Sequence, residues 1–198
     1  LIDFHLANST DALVILGTTG ESSTMSHEED NAVCEYTVKR VAGRIPVIAG
    51  SGSNSTQTML EKSLSYERLG ADGLLLITPY YNKTNEEGMY LHFKTVADAV
   101  KIPCILYNVP GRTGCSISVA NVARLSQHPN IVGIKEASGN MSYAAKVAKY
   151  LSDDFAMYSG NDDMIVPLLS IGASGVISVL ANIAPKETHQ MVFDYLEG

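Results

Sequence analysis

Basic residues, cysteines and long apolar segments are all scarce in this chain of 198 residues. Its 14 Lys and Arg residues are outnumbered by 21 Asp and Glu residues, which gives a formal net charge of −7. Because nucleic acids and anionic membranes attract proteins through clustered cations, this balance argues against both as partners. No apolar run approaches the roughly 18 residues that a membrane helix requires. The sequence therefore predicts a soluble protein that binds neither nucleic acid nor membrane.

Few residues suit redox or metal chemistry. The three cysteines, Cys34, Cys104 and Cys115, are odd in number and have no Cys-x-x-Cys spacing. No signal-peptide pattern opens the chain, so we expect a reducing, cytoplasmic location with the cysteines as small apolar fillers. The five histidines lie far apart, and none has metal-ligand spacing with Cys, Asp or Glu. A metal site is therefore not predicted.

Apolar residues make up 45% of the chain, and they recur in short runs rich in β-branched residues. Seven predicted strands cover residues 13–16, 47–49, 74–77, 104–107, 131–134, 155–158 and 176–179. The runs are apolar on successive residues, as parallel strands covered on both faces require. The intervening segments have helical periodicity and no linker-like stretch interrupts them. The pattern predicts one α/β domain over residues 1–198.

Two architectures fit this βα rhythm. One is an open, doubly wound sheet, and the other is a (β/α)8 barrel that is missing a unit. The first strand ends in Gly17-Thr18-Thr19-Gly20, which lacks the spacing of a dinucleotide fingerprint, and no phosphate-binding P-loop motif occurs. Nucleotide binding is therefore disfavoured, but periodicity alone does not choose between the two architectures.

In both architectures the functional residues follow the strands, and Lys135 is the one amine among them. It follows a buried strand, so desolvation favours the neutral amine that a Schiff-base nucleophile needs. The alternative is an ionised Lys135 paired with Glu136 or with a loop acid, which is the commoner use of such a lysine.

Two further strand ends carry candidate groups. Tyr107 is placed to relay protons, or else to cap the core with its hydroxyl bonded to the backbone. Arg112 is suited to clamp a carboxylate, or else is a plain surface residue. Thr18 and Thr19 offer hydroxyls and amides to an anion, or else stabilise a turn. The residue types alone leave these alternatives open.

Five segments together resemble the dihydrodipicolinate synthase family. They are Gly17-Thr18-Thr19-Gly20-Glu21, Thr78-Pro79-Tyr80-Tyr81-Asn82, Tyr107-Asn108-Val109-Pro110-Gly111-Arg112-Thr113-Gly114, Gly133-Ile134-Lys135-Glu136-Ala137-Ser138 and Gly175-Val176-Ile177-Ser178-Val179. The resemblance implies a TIM (β/α)8 barrel. Against the family barrel, we expect this chain to lack the first strand and the extra C-terminal helices, which would leave unpaired edges on the first and last strands.

The resemblance also implies a reaction. Lys135 would form an imine with pyruvate, and the derived enamine would attack L-aspartate 4-semialdehyde to give 4-hydroxy-tetrahydrodipicolinate for diaminopimelate and lysine synthesis. No cofactor is implied. Thr18, Tyr81 and Tyr107 match the family's proton relay, with Tyr81 reaching in from a neighbouring subunit of a homotetramer, a dimer of dimers.

The resemblance assigns binding roles as well. Thr19 matches the residue that binds the pyruvate carboxylate, and Arg112 the one that receives the semialdehyde carboxylate. Backbone groups at Gly160 and Ile177 are expected to face the lysine.

The superfamily offers two kinds of alternative. One is a sugar-acid aldolase or N-acetylneuraminate lyase, against which Arg112 argues, and the other is a non-catalytic barrel.

Feedback-inhibited members carry an acidic residue at the position of Thr58 and often a histidine at that of Asp30, so inhibition by lysine is predicted to be weak.

Overall fold

A computed structural model describes residues Leu1–Gly198 and contains seven strands and nine α-helices. The strands are β1 Leu13–Ile15, β2 Val47–Gly50, β3 Gly73–Ile77, β4 Cys104–Asn108, β5 Ile131–Glu136, β6 Ala156–Ser159 and β7 Gly175–Val176. The helices are α1 Ile2–Leu6, α2 His27–Val41, α3 Thr56–Arg68, α4 Glu86–Ala99, α5 Pro110–Thr113, α6 Val119–Leu125, α7 Met141–Val147, α8 Ile165–Leu169 and α9 Pro185–Glu197. None of these helices is both long and apolar enough to cross a membrane.

The strands form one parallel sheet in the order β1-β2-β3-β4-β5-β6-β7, so each strand pairs with the next one in the sequence. A doubly wound sheet reverses its strand order at a switch point, whereas a barrel sheet keeps adding strands in one direction. The observed order therefore excludes the doubly wound alternative and matches a TIM-barrel-like fold. β1 and β7 are the edge strands of the sheet, as predicted.

The two faces of the sheet are both covered, as the continuous apolar runs predicted. The outer face packs against the helices in a cluster of 28 buried residues, which includes Leu74, Leu76, Leu106 and Met157. The inner face has its own smaller cluster around Leu75, Ile105, Tyr107 and Val109. Along β4 residues 104–107 alternate between the two clusters, as the two-residue period of a strand requires.

One irregularity breaks this alternation in β5. Cys104 pairs with Ile131, but Ile105 pairs with Gly133, so Val132 is an extra residue in β5. Such a β-bulge places two residues of one strand opposite one of its neighbour. Ile131 and Ile134 both pack in the outer cluster, whereas Val132 packs in the inner one. The bulge thereby sets which residues of the C-terminal half of β5 point inward.

Helix starts carry polar caps. Ser26 begins α2 with a complete capping box, in which its hydroxyl accepts from the Glu29 amide and the Glu29 carboxylate accepts from the Ser26 amide. Side-chain caps also begin α3, α4, α6 and α7, at Ser55, Asn85, Ser118 and Asn140. These caps fix where each helix leaves the preceding loop.

The last strand differs from its prediction over residues 176–179. β7 contains only Gly175 and Val176, although the Ile177 amide still donates to Ser159 O at 2.8 Å. Beyond that point the Ser178 hydroxyl and the following amides bond to the carboxylate of Asp162 instead of a strand. An apolar run does not reveal that a distant carboxylate will bond to the amides that follow it, and for this reason the predicted strand is too long.

Candidate active site

At the carboxyl ends of the strands the inner face opens into a cavity of about 1000 Å³, which also extends along the edge strands. Seven of the eight predicted site residues line it: Thr18, Thr19, Tyr107, Arg112, Lys135, Gly160 and Ile177. They come from five different βα units, so the fold collects residues up to about 160 positions apart. The eighth, Tyr81, does not line the cavity.

Lys135 lies on the inner face of β5, in register with Tyr107 on β4 and Tyr158 on β6. Its Nζ atom is 4.4 Å from the centroid of the Tyr107 ring, and no carboxylate oxygen lies within 4.0 Å. Burial lowers the pKa of Lys135 from 10.5 to about 8; the negative charge of Asp162 opposes this shift, and the positive charge of Arg112 adds to it. At pH 7 about a tenth of this amine is therefore neutral, far more than for an ordinary lysine.

Glu136, the neighbouring residue, points to the opposite face and does not pair with Lys135. Its carboxylate accepts from Asn108 Nδ2 at 2.8 Å and from the Ser138 amide at 2.7 Å, and the Ser138 hydroxyl also donates to it. Burial raises the pKa of Glu136, and these hydrogen bonds oppose the rise. The pairing of Lys135 with Glu136 that the sequence left open is thus not what the structure shows.

Gly160, which follows β6, makes room for the lysine side chain. A Cβ atom on Gly160 would lie 2.7 Å from Ala137 Cβ and 3.0 Å from Lys135 Cε. Real Cβ atoms do not approach other atoms so closely, so a larger residue would displace the lysine stem. The Gly160 amide donates to Glu136 O at 2.8 Å, which keeps this backbone against β5.

Tyr107 is 7% exposed, and burial raises the pKa of its phenol above the ordinary value of 10. The Thr18 side chain and the positive charge of Arg112 both oppose this rise. Thr18 and Thr19 lie in the turn after β1, where both residues are exposed and line the cavity. The structure therefore brings the Thr18 hydroxyl, the Tyr107 phenol and the Lys135 amine together.

Arg112 lies on the one-turn helix α5. Pro110 at the first helical position and Gly114 in the left-handed conformation (φ 70°) start and end this turn. Arg112 is exposed at the cavity and makes no ion pair. Its guanidinium group is free to bind an anion.

Tyr81 is 90% exposed and has a left-handed backbone (φ 68°), which is rare for an aromatic residue. Within one chain it does not join Thr18 and Tyr107 at the cavity.

Sequence reasoning missed two neighbours of the lysine. Tyr158 lies beside Lys135 only because of the β5–β6 register. The carboxylate of Asp162, whose charge acts on Lys135, accepts from Ser178 Oγ, Val179 N and Leu180 N, at the start of the short 3-10 helix Leu180–Asn182. Its position among the strand-end residues was the only available signal.

The geometry defines a class of protein. No group of three or more His, Cys, Asp or Glu side chains is arranged to hold a metal ion. A partly buried, unpaired amine on a barrel strand, next to a phenol, is the arrangement that forms Schiff bases with carbonyl compounds. Fold and site together define an aldolase-type barrel lyase.

Comparison with known proteins narrows this class to one family. The sequence model of the Dihydrodipicolinate synthetase family matches residues 1–198. A 4-hydroxy-tetrahydrodipicolinate synthase 1 of Clostridium acetobutylicum is 54% identical, over 100% of this chain and 68% of that protein. The chain belongs to the dihydrodipicolinate synthetase family, as its motifs predicted.

Two solved structures support the fold. Dihydrodipicolinate synthase from Aquifex aeolicus superposes with a TM-score of 0.97 at 45% identity, covering 100% of this chain and 68% of that one. The chloride-inhibited dihydrodipicolinate synthase from Acinetobacter baumannii, solved in complex with pyruvate, gives a TM-score of 0.95 at 44% identity over 99% of this chain and 67% of that one. The predicted TIM-barrel fold is confirmed.

Proposed function

We propose that this protein condenses pyruvate with L-aspartate 4-semialdehyde to give 4-hydroxy-tetrahydrodipicolinate, the reaction that supplies diaminopimelate and lysine synthesis. The observation that carries the proposal is the Lys135 amine, which is partly buried, unpaired and has a pKa lowered to about 8 at the end of a barrel strand. The name of the Clostridium relative and the pyruvate complex of the Acinetobacter relative support it.

The reaction needs an amine that is neutral. The neutral Lys135 amine attacks the ketone carbon of pyruvate, and the resulting carbinolamine loses water to form an imine. Loss of a proton from the pyruvate methyl group gives an enamine, whose carbon forms the new bond to the aldehyde carbon. The substrate's own amine then displaces Lys135 from the imine carbon as the ring closes. The imine is the electron sink, so no cofactor is needed.

Tyr107 serves in this proposal as the acid and base of imine formation. Its ring lies 4.4 Å from Lys135 Nζ, and its phenol interacts with the Thr18 side chain, so a proton has a path between them. Tyr81 is proposed to complete this relay from a second copy of the chain, in a homo-oligomer built as a dimer of dimers. Its 90% exposure makes it available for such a contact.

The carboxylates of the two substrates need separate partners. We assign the pyruvate carboxylate to Thr19 and the semialdehyde carboxylate to Arg112, whose guanidinium group is exposed at the cavity without a protein partner. Backbone groups at Gly160 and Ile177 are proposed to face the imine. A sugar-acid aldolase or an N-acetylneuraminate lyase would have to accept a polyol where Arg112 lies.

Borohydride reduction in the presence of pyruvate tests the proposal directly. We expect the intact mass to increase by one reduced pyruvyl group, and peptide mapping to place it on Lys135. Lys146→Gln, on the exposed side of α7, is the matched control and should retain the adduct, whereas Lys135→Gln should lose it. An adduct on another lysine, or none in folded protein, would refute the mechanism and favour the non-catalytic alternative.

The three cysteines bear on the compartment. Cys34 and Cys104 are buried, none of the three forms a disulfide, and burial raises the thiol pKa of both to about 11 and about 12, respectively. Thiols in this state suit a reducing compartment, so we propose that the protein works in the cytoplasm.

A further inference from the structure

A buried ion pair joins α2 to α3 outside the cavity. Lys62 Nζ lies 2.8 Å from Asp30 Oδ2, and the two side chains are 11% and 1% exposed. Neither oxygen of Asp30 accepts a hydrogen bond of normal geometry, so the Lys62 charge alone compensates the buried carboxylate. Buried ion pairs are weak evidence for stability, because desolvation offsets their attraction. The pair therefore calls for an explanation beyond stability.

Lys62 makes a second contact that leads toward the cavity. Its ammonium group donates to Ser22 Oγ at 3.2 Å. Ser22 begins the 3-10 helix Ser22–Thr24, which directly follows the turn that contains Thr18 and Thr19. One buried ammonium group thus connects the layer of helices to the turn after β1.

That turn has an unfavourable backbone at both ends. Leu16 (φ 57°) and Glu21 (φ 56°) adopt the left-handed conformation, which costs energy for residues with a side chain. At the start of the turn the Leu16 carbonyl packs so closely on β2 that a Cβ on Gly50 would clash with Leu16 O. Such conformations persist only where surrounding contacts hold them. The Lys62–Ser22 hydrogen bond supplies such a contact at the far end.

We propose that Lys62, held by Asp30, is a positioning residue that fixes the Thr18–Thr19 turn through Ser22. The inference rests on the proposed function, in which Thr19 binds the pyruvate carboxylate and Thr18 relays protons. With the link intact, the turn is already in its binding geometry when pyruvate arrives. Without it, part of the binding energy has to order the turn first.

The test separates positioning from stability by removing only the link. Ser22→Ala deletes the hydroxyl that Lys62 contacts and leaves the ion pair in place. Ser23→Ala is the matched control, because Ser23 is the next residue of the same 3-10 helix and is exposed. For each variant we measure how the amount of borohydride-reduced Lys135 adduct depends on the pyruvate concentration. This gives the half-saturating pyruvate concentration and the rate of adduct formation at saturating pyruvate.

For Ser22→Ala we expect the half-saturating pyruvate concentration to rise about fivefold, while the rate at saturation changes by less than about twofold. Ser23→Ala should match the wild-type protein in both. Equal half-saturating concentrations in the two variants would overturn the inference. Absence of an adduct in the wild-type protein would overturn the proposed function as well, so the two failures are distinguishable.

A second pair of variants addresses Lys62 itself, measured well below the unfolding temperature of each. Lys62→Arg keeps a charge and donors for both contacts and should stay within about twofold of the wild-type half-saturating concentration. Lys62→Met should show a rise at least as large as that of Ser22→Ala. A folded Lys62→Met protein with wild-type pyruvate saturation would contradict the positioning role.

Discussion

Two lysines of this chain are largely buried, and their surroundings differ in one respect. Lys62 has a carboxylate 2.8 Å from its ammonium group, whereas Lys135 has none within 4.0 Å and lies against an aromatic ring. Burial lowers the pKa of the unpaired Lys135 to about 8. The paired Lys62 serves as a fixed charge between two helices and a turn. The presence of a counter-ion, and not burial alone, decides whether such a lysine is suited to act as a nucleophile or holds neighbouring segments in place.

Replacing Lys135 tests the first half of this comparison and should have the largest effect. In Lys135→Met we expect the condensation rate to fall by about 10³-fold or more, because the covalent route is lost. Thermal stability should not fall, because methionine fills a similar volume without a desolvated amine. Initial rates and a thermal unfolding curve measure the two effects. A variant that keeps a tenth of the wild-type rate would show that Lys135 is not the nucleophile.

The opposite pattern is expected for Lys62→Met. Its free energy of unfolding should fall by about 3–5 kcal/mol, because Asp30 is left buried and unpaired. The double variant Asp30→Leu, Lys62→Met should recover most of this loss, since no buried charge remains. Urea unfolding measures the free energy of unfolding of the wild-type protein, the single variant and the double variant. If the single variant were as stable as the wild type, the pair would not be as buried in solution as the structure shows.

Arg112→Ala should affect only the second substrate. We expect the half-saturating semialdehyde concentration to rise about 10- to 100-fold as a charge-assisted carboxylate contact is lost. The pyruvate adduct should still form on Lys135. Arg112→Lys should have a half-saturating semialdehyde concentration between those of the wild-type protein and Arg112→Ala. Steady-state kinetics with each substrate varied in turn distinguishes these effects. Equal weakening toward both substrates would assign Arg112 a structural role instead.

The pH dependence follows from the lowered pKa of Lys135. Adduct formation should accelerate as pH rises through about 8, because the neutral amine becomes the major form. The negative charge of Asp162 raises this pKa, so Asp162→Asn should move the midpoint to lower pH. The rate of adduct formation across pH 6 to about 9 measures the shift. A midpoint that stays in place would mean that Asp162 does not act on the amine.

The same pKa has a consequence for stability, with a defined sign. Folded Lys135 binds fewer protons than unfolded Lys135 between pH 8 and 10.5, so its destabilising effect is fully present below pH 8 and is relieved as pH rises to 10.5. The stability difference between the wild-type protein and Lys135→Met should therefore narrow over this range.

The smallest expected effect is that of L-lysine. We expect inhibition of less than about twofold at millimolar concentrations, because Thr58 is uncharged and Asp30 is already buried against Lys62. Rates with and without L-lysine measure this directly, and Thr58→Glu tests whether one added acid increases the response. Strong inhibition at micromolar lysine would contradict the expectation.

Much of the fold could be predicted because it depends on local patterns. The apolar runs located all seven strands, and capping residues such as Ser26 marked the start of a helix, since both are properties of a few adjacent residues. Strand-end positions likewise identified Lys135, Tyr107 and Arg112 as candidates. The order of the strands, and hence the barrel, followed from the family motifs and not from periodicity.

Other features depend on contacts between distant segments and leave no local signal. The pairing of Asp30 with Lys62 joins two helices whose sequences each look merely polar. The short β7 results from competition by Asp162 for the amides of Val179 and Leu180, which neither segment shows by itself. The sequence could not predict these interactions, because each needs the packed geometry of two elements.

The extra residue at Val132 has a consequence for how this protein can change. Substitutions alter what a β5 side chain is, but they leave its orientation in place. Loss of a single codon at position 132 would remove the extra residue but leave Gly133, Ile134 and Lys135 opposite the same β4 residues, so Lys135 would still face the cavity. A second codon lost before Lys135 would instead shift the alternation by one residue and turn Lys135 toward the helices. β5 can therefore lose one residue here, but not two, without changing the face on which the proposed nucleophile lies.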